Sequence, residues 1–264
     1  MLRSELQEKR IFIFDADGVL WKGENAIEEA KTALNRIREL GGRVTLLTNN
    51  STKSRNDFVV KIRKVLQFSL EKDDIVNSAY ATALYLQQHF DPGSCVLPVG
   101  EQGINIELEE AGFRIIHSVK QGTPVAVVVG MDRHITYDKI RQALRAILAG
   151  AIFIATNPDP TFPVPDGLDP GAGASVGAVA GACGRPPDLI IGKPNPLILT
   201  LALEKWDEKP EHAVMIGDRL STDILCANKA KITAIHVLTG VSEANDGSIS
   251  PDFTLNTLSE LFLE

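Results

Sequence analysis

The sequence is short of basic residues, and this shortage excludes one class of partner. It holds 27 Lys and Arg against 34 Asp and Glu, which gives a net charge of −7 at pH 7. Nucleic acids and anionic membrane surfaces both require basic patches on the proteins that bind them. We therefore expect neither a nucleic-acid partner nor a membrane partner.

Long apolar runs and paired cysteines are also missing. No stretch reaches the ~18 apolar residues of a spanning helix, and the charged N-terminus MLRSELQEKR is unlike a secretory signal. The three cysteines, Cys95, Cys183 and Cys226, form no Cys-x-x-Cys pair. We expect a cytoplasmic protein without a zinc or redox motif, in which the thiols fill the core.

Short apolar runs alternate with helical patterns along almost the whole chain. Residues 11–14, IFIF, are typical of a buried strand, and residues 26–40 carry apolar side chains at helical spacing before a Gly-Gly pair. This order predicts an α/β fold in which helices cover parallel sheets. Further strands are predicted at 44–47, 96–99, 125–129, 152–155, 189–191, 213–217 and 232–237, and further helices at 54–66, 79–90, 102–111, 136–149 and 172–183.

Two clusters of helix- and strand-breaking residues divide the chain. They are DPGS at 91–94 and GRPP at 184–187. The residues between them have their own predicted strands and helices. We interpret them as an inserted domain, residues 92–186, within a domain formed by residues 1–91 and 187–264.

Polar side chains follow four of the predicted strands, at the point where each strand ends. The carboxyl ends of parallel strands form the ligand crevice of an open α/β sheet. We therefore expect the four clusters to converge in the outer, two-segment domain. They are Asp15 and Asp17 after 11–14, Thr48, Asn49 and Asn50 after 44–47, Lys193 after 189–191, and Asp218 with Asp223 after 213–216.

These residue types permit phosphoryl transfer. Several carboxylates without a matching basic cluster are typical of a site for a hard divalent cation, here Mg²⁺. A lysine and a Thr/Asn cluster beside the cation can bind phosphate oxygens. One aspartate can attack phosphorus, and a second can act as general acid and then as base. Gly18 keeps the turn open and lets backbone amides approach the phosphate.

Other interpretations of the same residues are less specific. A turn could explain Asp-x-Asp-Gly alone, and a surface charge or a cap could explain Lys193 or Asp218 alone. An EF-hand that began at Asp15 would need Gly and an acid where the chain has Leu20 and Ala26. The joint occurrence at strand ends favours a site.

Two glycine- and proline-rich segments of the insert are ambiguous. Residues 171–177, GAGASVG, are similar to a dinucleotide-binding loop, but the preceding DGLDP is not a predicted strand, which favours a tightly packed helix start. Residues 156–165, TNPDPTFPVP, are predicted to form an ordered loop that could line a substrate pocket.

The quoted motifs resemble those of haloacid dehalogenase (HAD) superfamily phosphatases. FDADGVLW, LLTNN, IGKPNP and IGDRLSTDI are similar, in that order, to the four family motifs. VAVVVGMDRHITYDKI, FIATNPDPTFP and GAGASVGAVAGACGRPPDLIIGKPNP look like subclass IIA, the p-nitrophenylphosphatase and phosphoglycolate phosphatase branch. The resemblance covers nearly the whole chain. It implies a Rossmann-like parallel-sheet core with an inserted α/β cap of the C2 type that sets substrate specificity.

The resemblance also assigns roles to the residues. It implies that Asp15 is the nucleophile, that Asp17 is the general acid and base, and that Lys193 offsets negative charge. Thr48 and Asn49, with Asn50, would bind the phosphoryl group. Magnesium would be held by the carboxylates of Asp15 and Asp218 and the backbone carbonyl of Asp17, and Asp223 would act through water or orient these ligands.

The expected activity is hydrolysis of a small phosphorylated metabolite through an aspartyl-phosphate. 2-Phosphoglycolate is the first expectation, and pyridoxal phosphate or a nucleotide is the alternative within the branch. Phe162 stands where pyridoxal phosphate phosphatases carry a histidine, which disfavours that substrate. The alternative from another class is a signalling receiver domain phosphorylated on Asp15. Caps of this branch often mediate dimers, so a homodimer is also an open alternative.

Overall fold

The computed structural model describes residues 1–164, 166–241 and 247–263. The chain divides into two compact units. The first unit comprises Met1–Thr48, Asn56–Val76 and Lys193–Glu264, and the second comprises Asn49–Arg55 and Asn77–Gly192. Pro165, the last residue of the predicted loop at 156–165, lies outside the described residues.

The predicted strands and helices are present, and the structure adds further short strands. In chain order, the strands are β1 (Ile11–Phe14), β2 (Trp21–Lys22), β3 (Asn25–Ala26), β4 (Arg43–Thr48), β5 (Ile75–Asn77), β6 (Cys95–Val99), β7 (Arg114–Ile115), β8 (Ala126–Val129), β9 (Ile152–Ala155), β10 (Thr161–Val164), β11 (Gly167–Pro170), β12 (Leu189–Ile190), β13 (Ala213–Gly217), β14 (Thr233–Val237) and β15 (Phe253–Leu255). The helices are α1 (Ala30–Glu39), α2 (Arg55–Leu66), α3 (Ser78–His89), α4 (Gln102–Glu110), α5 (Tyr137–Leu148), α6 (Ala172–Cys183), α7 (Leu197–Trp206) and α8 (Leu225–Ala230), with a π-helical turn at Leu220–Ile224 before α8. The strands that the structure adds are β2, β3, β5, β7 and β15 and the pair β10 and β11.

The first unit is built on a six-stranded sheet in the order β15-β14-β13-β1-β4-β5. Neighbouring strands from β15 to β4 run parallel. All four residues of β1 are buried, as expected of a central strand covered on both faces. Phe12, Phe14, Leu46 and Val214 belong to one apolar core with the buried face of α1. This confirms the predicted parallel α/β fold.

The second unit has its own five-stranded parallel sheet, in the order β12-β9-β8-β6-β7. Val127, Val129 and Phe153 lie in its core. Helix α3 begins where the Asn77 side chain accepts a hydrogen bond from the Tyr80 N–H at 2.7 Å, as an N-cap does. The β10–β11 pair forms a separate antiparallel hairpin.

The second unit is larger than the insert predicted at residues 92–186. It also takes residues 49–55, 77–91 and 187–192. Helix α3 belongs to it because this helix packs on α4. The breaker cluster at 91–94 is therefore a turn within the unit, where the Gly93 N–H donates to the Gly112 carbonyl at 2.8 Å.

Three predictions about strands are wrong. Leu189 and Ile190 pair with β9 in the second sheet, so the segment before Lys193 is not a strand of the first unit. Residues 161–164 are a strand rather than part of a loop, and residues 167–170, taken as non-strand, are its antiparallel partner. The hairpin is mostly exposed and contains Pro163 and Pro170, which strands tolerate only at edges.

Gly171 and Gly173 begin α6 as the tightly packed helix start that the sequence predicts. A side chain at Gly171 would collide with the Asp159 carbonyl oxygen, and one at Gly173 would lie 2.7 Å from the Pro158 carbonyl oxygen. The close backbone approach explains both glycines without a bound nucleotide.

None of the helices in the described ranges combines the length and the apolar character that crossing a membrane requires.

Candidate active site

Two neighbouring strands of the first sheet bring aspartates to the same edge. Asp15 directly follows β1, and its N–H donates to the Ile216 carbonyl of β13 at 2.9 Å. Asp218 directly follows β13. Because β1 and β13 run parallel, their carboxyl ends and both side chains lie together, as predicted.

Lys193 places one buried ammonium group between two carboxylates. Its Nζ donates to Asp15 Oδ1 at 2.5 Å and to Asp223 Oδ1 at 2.6 Å. The Lys193 side chain is 3% exposed and that of Asp223 is 1% exposed. The Arg219 N–H donates to the other oxygen of Asp223 at 3.1 Å. Both oxygens of Asp223 are therefore held in place.

Asp218 completes a group of three carboxylates. Asp15, Asp218 and Asp223 each offer one oxygen within 4.8 Å of the others. Asp218 Oδ2 accepts a hydrogen bond from the Val241 N–H at 2.8 Å, whereas Asp218 Oδ1 is buried without a hydrogen-bond partner. A buried carboxylate oxygen without a partner is costly, and a cation would satisfy it.

The electrostatics of this group favour a divalent cation. Burial raises the pKa of Asp15 well above its usual value against the opposing attraction of Lys193, and repulsion from Asp223 and Asp218 adds to the rise. Burial and the Asp223 charge raise the pKa of Asp218 to about 6. Burial opposes the charge of Lys193, but attraction from Asp15 and Asp223 outweighs it and raises the Lys193 pKa.

The charges do not cancel. Three ionised carboxylates and one ammonium sum to −3 + 1 = −2, which a dication would neutralise. The all-oxygen donor set suits Mg²⁺. Burial raises the pKa of the Asp15 carboxyl, and a cation at this site would oppose that rise. The residues therefore fit the predicted magnesium site.

Two glycines make room for the Asp218 carboxylate. A side chain at Gly18 or at Gly240 would collide with Asp218 Oδ2. Gly18 also has φ +91°, which glycine adopts without strain. The Thr239 hydroxyl donates to the Gly18 carbonyl at 2.7 Å. Gly18 is thus required by the carboxylate packing, in addition to its predicted role near phosphate.

Asp17 is separate from the three clustered carboxylates. Its side chain is exposed, whereas Asp15 is 9% exposed. The indole Nε1–H of Trp21 donates to Asp17 Oδ1 at 3.1 Å. Asp15 and Asp17 therefore have different surroundings, as their predicted roles require. Asp223, unlike Asp17, is one of the three clustered carboxylates.

The predicted phosphate-binding trio is divided between the two units. Thr48 ends β4 in the first unit and is 4% exposed, and Asn49 and Asn50 belong to the second unit. Asn50 Oδ1 accepts hydrogen bonds from the Thr52 N–H at 2.9 Å and the Thr52 hydroxyl at 2.8 Å. This is an Asx turn, so one end of the Asn50 side chain serves the loop itself.

Asn49 is held on both its main chain and its side chain. Its carbonyl accepts hydrogen bonds from Ser78 Oγ at 2.6 Å and Asn157 Nδ2 at 2.8 Å. Its side-chain Nδ2 donates to Asp159 Oδ2 at 2.9 Å. These partners come from α3 and from the segment after β9, so the loop is fixed within the second unit.

The sequence interpretation missed two residues of this arrangement. Asp159 lies in the predicted ordered loop, but nothing in the pattern connected it with Asn49. Trp21 lies in the first motif, FDADGVLW, and its four-residue separation from Asp17 was the available signal. A tryptophan after a buried strand is otherwise typical of a core residue.

Comparisons with known proteins identify the family of the chain. Residues 12–114 match a family model described as haloacid dehalogenase-like hydrolase, and residues 190–261 match one described as HAD-hydrolase-like. Phosphoglycolate phosphatase 2 of Arabidopsis thaliana is 35% identical over 275 residues, which cover 95% of this chain and 91% of that protein.

Two solved structures are similar over nearly the whole chain. The p-nitrophenyl phosphatase from Archaeoglobus fulgidus has a TM-score of 0.89 at 32% identity, over 96% of this chain and 98% of that one. A glycerol phosphate phosphatase from Mycobacterium tuberculosis, solved in complex with magnesium, has a TM-score of 0.89 at 32% identity, over 99% of this chain and 78% of that one.

Proposed function

Because the chain belongs to the haloacid dehalogenase-like hydrolases and is a phosphatase of that family, we propose that Asp15 is the nucleophile of its phosphomonoester hydrolysis. The observation that supports this most is the placement of Asp15. Its carboxylate lies at the end of a central strand, 2.5 Å from the buried Lys193 ammonium and beside Asp218 and Asp223.

The reaction has two phosphoryl-transfer steps. In the first, an Asp15 oxygen attacks phosphorus, the bond between phosphorus and the ester oxygen breaks, and Asp17 gives its carboxyl proton to the leaving oxygen. In the second, Asp17 takes a proton from water as the water oxygen attacks phosphorus. The bond between phosphorus and Asp15 then breaks, which releases inorganic phosphate and restores both carboxyl groups.

Magnesium is the cofactor, and the carboxylates of Asp15 and Asp218 with the backbone carbonyl of Asp17 would hold it. The unpartnered Asp218 Oδ1 supports this assignment. When bound, the cation neutralises negative charge on the nucleophile and on the phosphoryl oxygens. Asp223 would keep Lys193 and the ligand carboxylates in place.

Lys193 and the chain near Thr48 would hold the phosphoryl group. Lys193 lowers the cost of bringing an anionic substrate to a carboxylate, because its ammonium is buried and points at Asp15. The Thr48 hydroxyl and the Asn49 backbone N–H would donate to phosphoryl oxygens. Gly18 would leave room for the phosphate at the turn, while its own N–H donates to the Trp21 carbonyl. Asn50 would contribute less, because its Oδ1 already caps Thr52.

The substrate is a small phosphorylated metabolite, and we propose 2-phosphoglycolate first. A relative that covers 95% of this chain is a phosphoglycolate phosphatase. Glycerol phosphate is an alternative, because the similar Mycobacterium tuberculosis structure is that of a glycerol phosphate phosphatase. Pyridoxal phosphate or a nucleotide is a further alternative. We propose that the second unit acts as the cap that selects among them. A kcat/KM screen over these compounds tests the assignment.

Cytoplasmic location and a homodimeric state are part of the proposal. The three cysteines are free thiols, which suits a reducing compartment. Fractionation of the native source tests the location, and light scattering of the purified protein tests the oligomeric state. The receiver-domain alternative gains no support, because the matched relatives are phosphatases over more than nine-tenths of this chain.

The experiment is phosphate release from p-nitrophenyl phosphate with and without Mg²⁺. Asp15→Asn should lower kcat by ~10⁴-fold or more, because the amide cannot attack phosphorus. Asp207→Asn is the matched control: it changes an exposed aspartate of the first unit in a left-handed conformation that Asn also adopts. Near-full activity of Asp15→Asn would refute the mechanism, and activity that survives complete chelation would refute the role of the cation.

Asp17→Asn separates the two carboxylates. It should cripple turnover because no group then exchanges the proton, while Mg²⁺ binding stays largely intact because only the Asp17 backbone carbonyl would contact the cation. Isothermal titration with Mg²⁺ alone measures the second effect. Loss of Mg²⁺ binding in this variant would contradict the division of roles.

A further inference from the structure

Trp21 is a fully buried residue with a polar contact to a proposed catalytic group. Its side chain is 0% exposed, yet its indole N–H donates to Asp17 Oδ1 at 3.1 Å. That distance is within the range of an N–H···O hydrogen bond. A buried indole N–H needs an acceptor, and here the acceptor is the carboxylate assigned to proton transfer.

The backbone brings Trp21 to Asp17 through a closed turn. The Trp21 carbonyl accepts from the Gly18 N–H at 2.7 Å, and the Trp21 N–H donates to the Ala16 carbonyl at 3.3 Å. Asp17 and Trp21 also form an isolated β-bridge. The turn fixes the indole relative to Asp17, because the Trp21 backbone is bonded to Ala16 and Gly18, the residues on either side of Asp17.

The side-chain ammonium of Lys61 lies over the face of the Trp21 ring. The Lys61 ammonium is 4.5 Å from the centre of the Trp21 ring. A cation over an indole face is attracted to the ring and draws electron density from it, which makes the N–H a better donor. Lys61 lies in α2, so a helix of the first unit supports the indole.

The chemistry of the donor suits a group that exchanges protons. An indole N–H carries no charge and cannot accept a proton, so it holds Asp17 in both protonation states. Arg or Lys in its place would favour the ionised carboxylate strongly. The indole bond engages Oδ1 of the Asp17 carboxyl group and so restrains the orientation of that group.

We propose that Trp21 is a positioning residue that holds the Asp17 carboxyl in the orientation for proton transfer to the leaving oxygen. The inference rests on the proposed function, because it requires Asp17 to be the general acid and base. It adds the means by which an exposed carboxylate keeps one orientation. It also gives Trp21 a role that its burial alone would not predict.

The test compares two tryptophans that make similar bonds. Trp21→Phe removes the N–H and keeps an aromatic ring. Trp206→Phe is the matched control, since Trp206 is also buried in the first unit and donates its indole N–H, at 2.7 Å, to a backbone carbonyl, that of Asp73. Each variant is assayed with p-nitrophenyl phosphate, which has a good leaving group, and with 2-phosphoglycolate, which has a poor one.

The expected result is a leaving-group-dependent loss. For Trp21→Phe, kcat/KM with 2-phosphoglycolate should fall ~10-fold or more, because the alkoxide needs the proton, while p-nitrophenyl phosphate should lose less than ~3-fold. Trp206→Phe should change both by less than ~2-fold. Equal losses on both substrates, or no loss on either, would overturn the proposal.

Two further measurements keep the test decisive if Trp21→Phe folds poorly or if Asp17 is not the general acid and base. Benzothienylalanine, incorporated at Trp21 in the Trp206→Phe background, replaces only the N–H by sulfur and should give the same substrate-dependent loss. In an Asp17→Asn background, Trp21→Phe should change kcat/KM by less than ~2-fold. Full activity of Asp17→Asn would refute the proposed function, whereas an inactive Asp17→Asn with an unaffected Trp21→Phe refutes this inference alone.

Discussion

Each unit contains a buried cation paired with carboxylates, and the two clusters differ in charge balance. In the first unit, Lys193 faces both Asp15 and Asp223. In the second unit, Arg55 faces mainly one buried partner, Glu107. Its Nε donates to Glu107 Oε2 at 2.8 Å and its backbone N–H donates to Oε1 at 2.7 Å.

The Arg55 cluster has the features of a structural anchor. Arg55 and Glu107 are 6% and 1% exposed, so the pair is as buried as the Lys193 group. The guanidinium also lies 3.3 Å from the Tyr80 ring centre, and a more exposed Glu110 is 3.6 Å away. One buried cation and one buried anion with good hydrogen bonds leave no charge to neutralise.

The Lys193 cluster, by contrast, is incomplete by itself. With Asp218 it has one cation for three carboxylates, and Asp218 Oδ1 has no hydrogen-bond partner. A fold gains nothing from crowding carboxylates, because burial raises the pKa of Asp15 and of Asp218. Both clusters thus contain buried charges. The excess of negative charge in the Lys193 cluster distinguishes the proposed binding site from the Arg55 anchor.

Among the substitutions that compare the two clusters, Lys193→Met should have the largest effect on both activity and stability. It leaves Asp15 and Asp223 buried without their cation, so kcat should fall ~10³-fold and the free energy of unfolding should fall by ~3 kcal/mol. Urea unfolding and p-nitrophenyl phosphate assays measure the two effects. Adding Asp223→Asn should restore part of the stability and none of the activity. Lys205→Met, at a more exposed lysine of the same unit, is the control.

Asp218→Asn tests whether the excess negative charge of the Lys193 cluster binds Mg²⁺. Because Mg²⁺ would bind the folded protein, it should raise the Tm of the wild-type protein. The variant should lose most of that Tm increase, because it lacks one of the carboxylates that would hold the cation. Its activity at saturating Mg²⁺ should fall ~10²-fold. Calorimetry with and without Mg²⁺ measures the shift. An undiminished Mg²⁺ shift in Asp218→Asn would place the cation elsewhere.

Glu107→Gln should have the smallest effect on activity. It removes the charge that balances Arg55, so the free energy of unfolding should fall by ~3 kcal/mol, while kcat/KM changes by less than ~3-fold. Glu109→Gln, on the exposed face of the same helix α4, should change neither quantity. A loss of activity as large as that of Lys193→Met would erase the distinction between anchor and site.

Much of this arrangement could be predicted because a parallel sheet sends the ends of its strands to one edge. Asp15 after β1 and Asp218 after β13 follow from apolar runs that end in carboxylates. The strand before Lys193 was assigned to the wrong sheet, because a three-residue apolar run fits either parallel sheet equally well. Lys193 reaches Asp15 all the same, directly after the chain leaves the second unit.

Other features could not be predicted, because the local pattern is misleading or because they depend on contacts between distant residues. The hairpin of β10 and β11 contains prolines and few buried side chains, which is typical of a loop. The bonds of Asn49 to Asn157 and Asp159 join residues more than 100 positions apart. The larger second unit depends on the packing of α3 on α4, whereas the sequence offered the stronger breaker signal at 91–94.

The central claim is that Asp15 carries the phosphoryl group while Asp17 moves the proton, and acid-quenched labelling tests it most directly. In Asp17→Asn, p-nitrophenyl phosphate should still transfer its phosphoryl group, because p-nitrophenolate leaves without a proton, but the phosphoenzyme should hydrolyse slowly. We predict a burst of p-nitrophenol close to one per active site and one phosphoryl group on Asp15 by mass spectrometry. Slow turnover without a burst, or a phosphoryl group on another residue, would contradict the account.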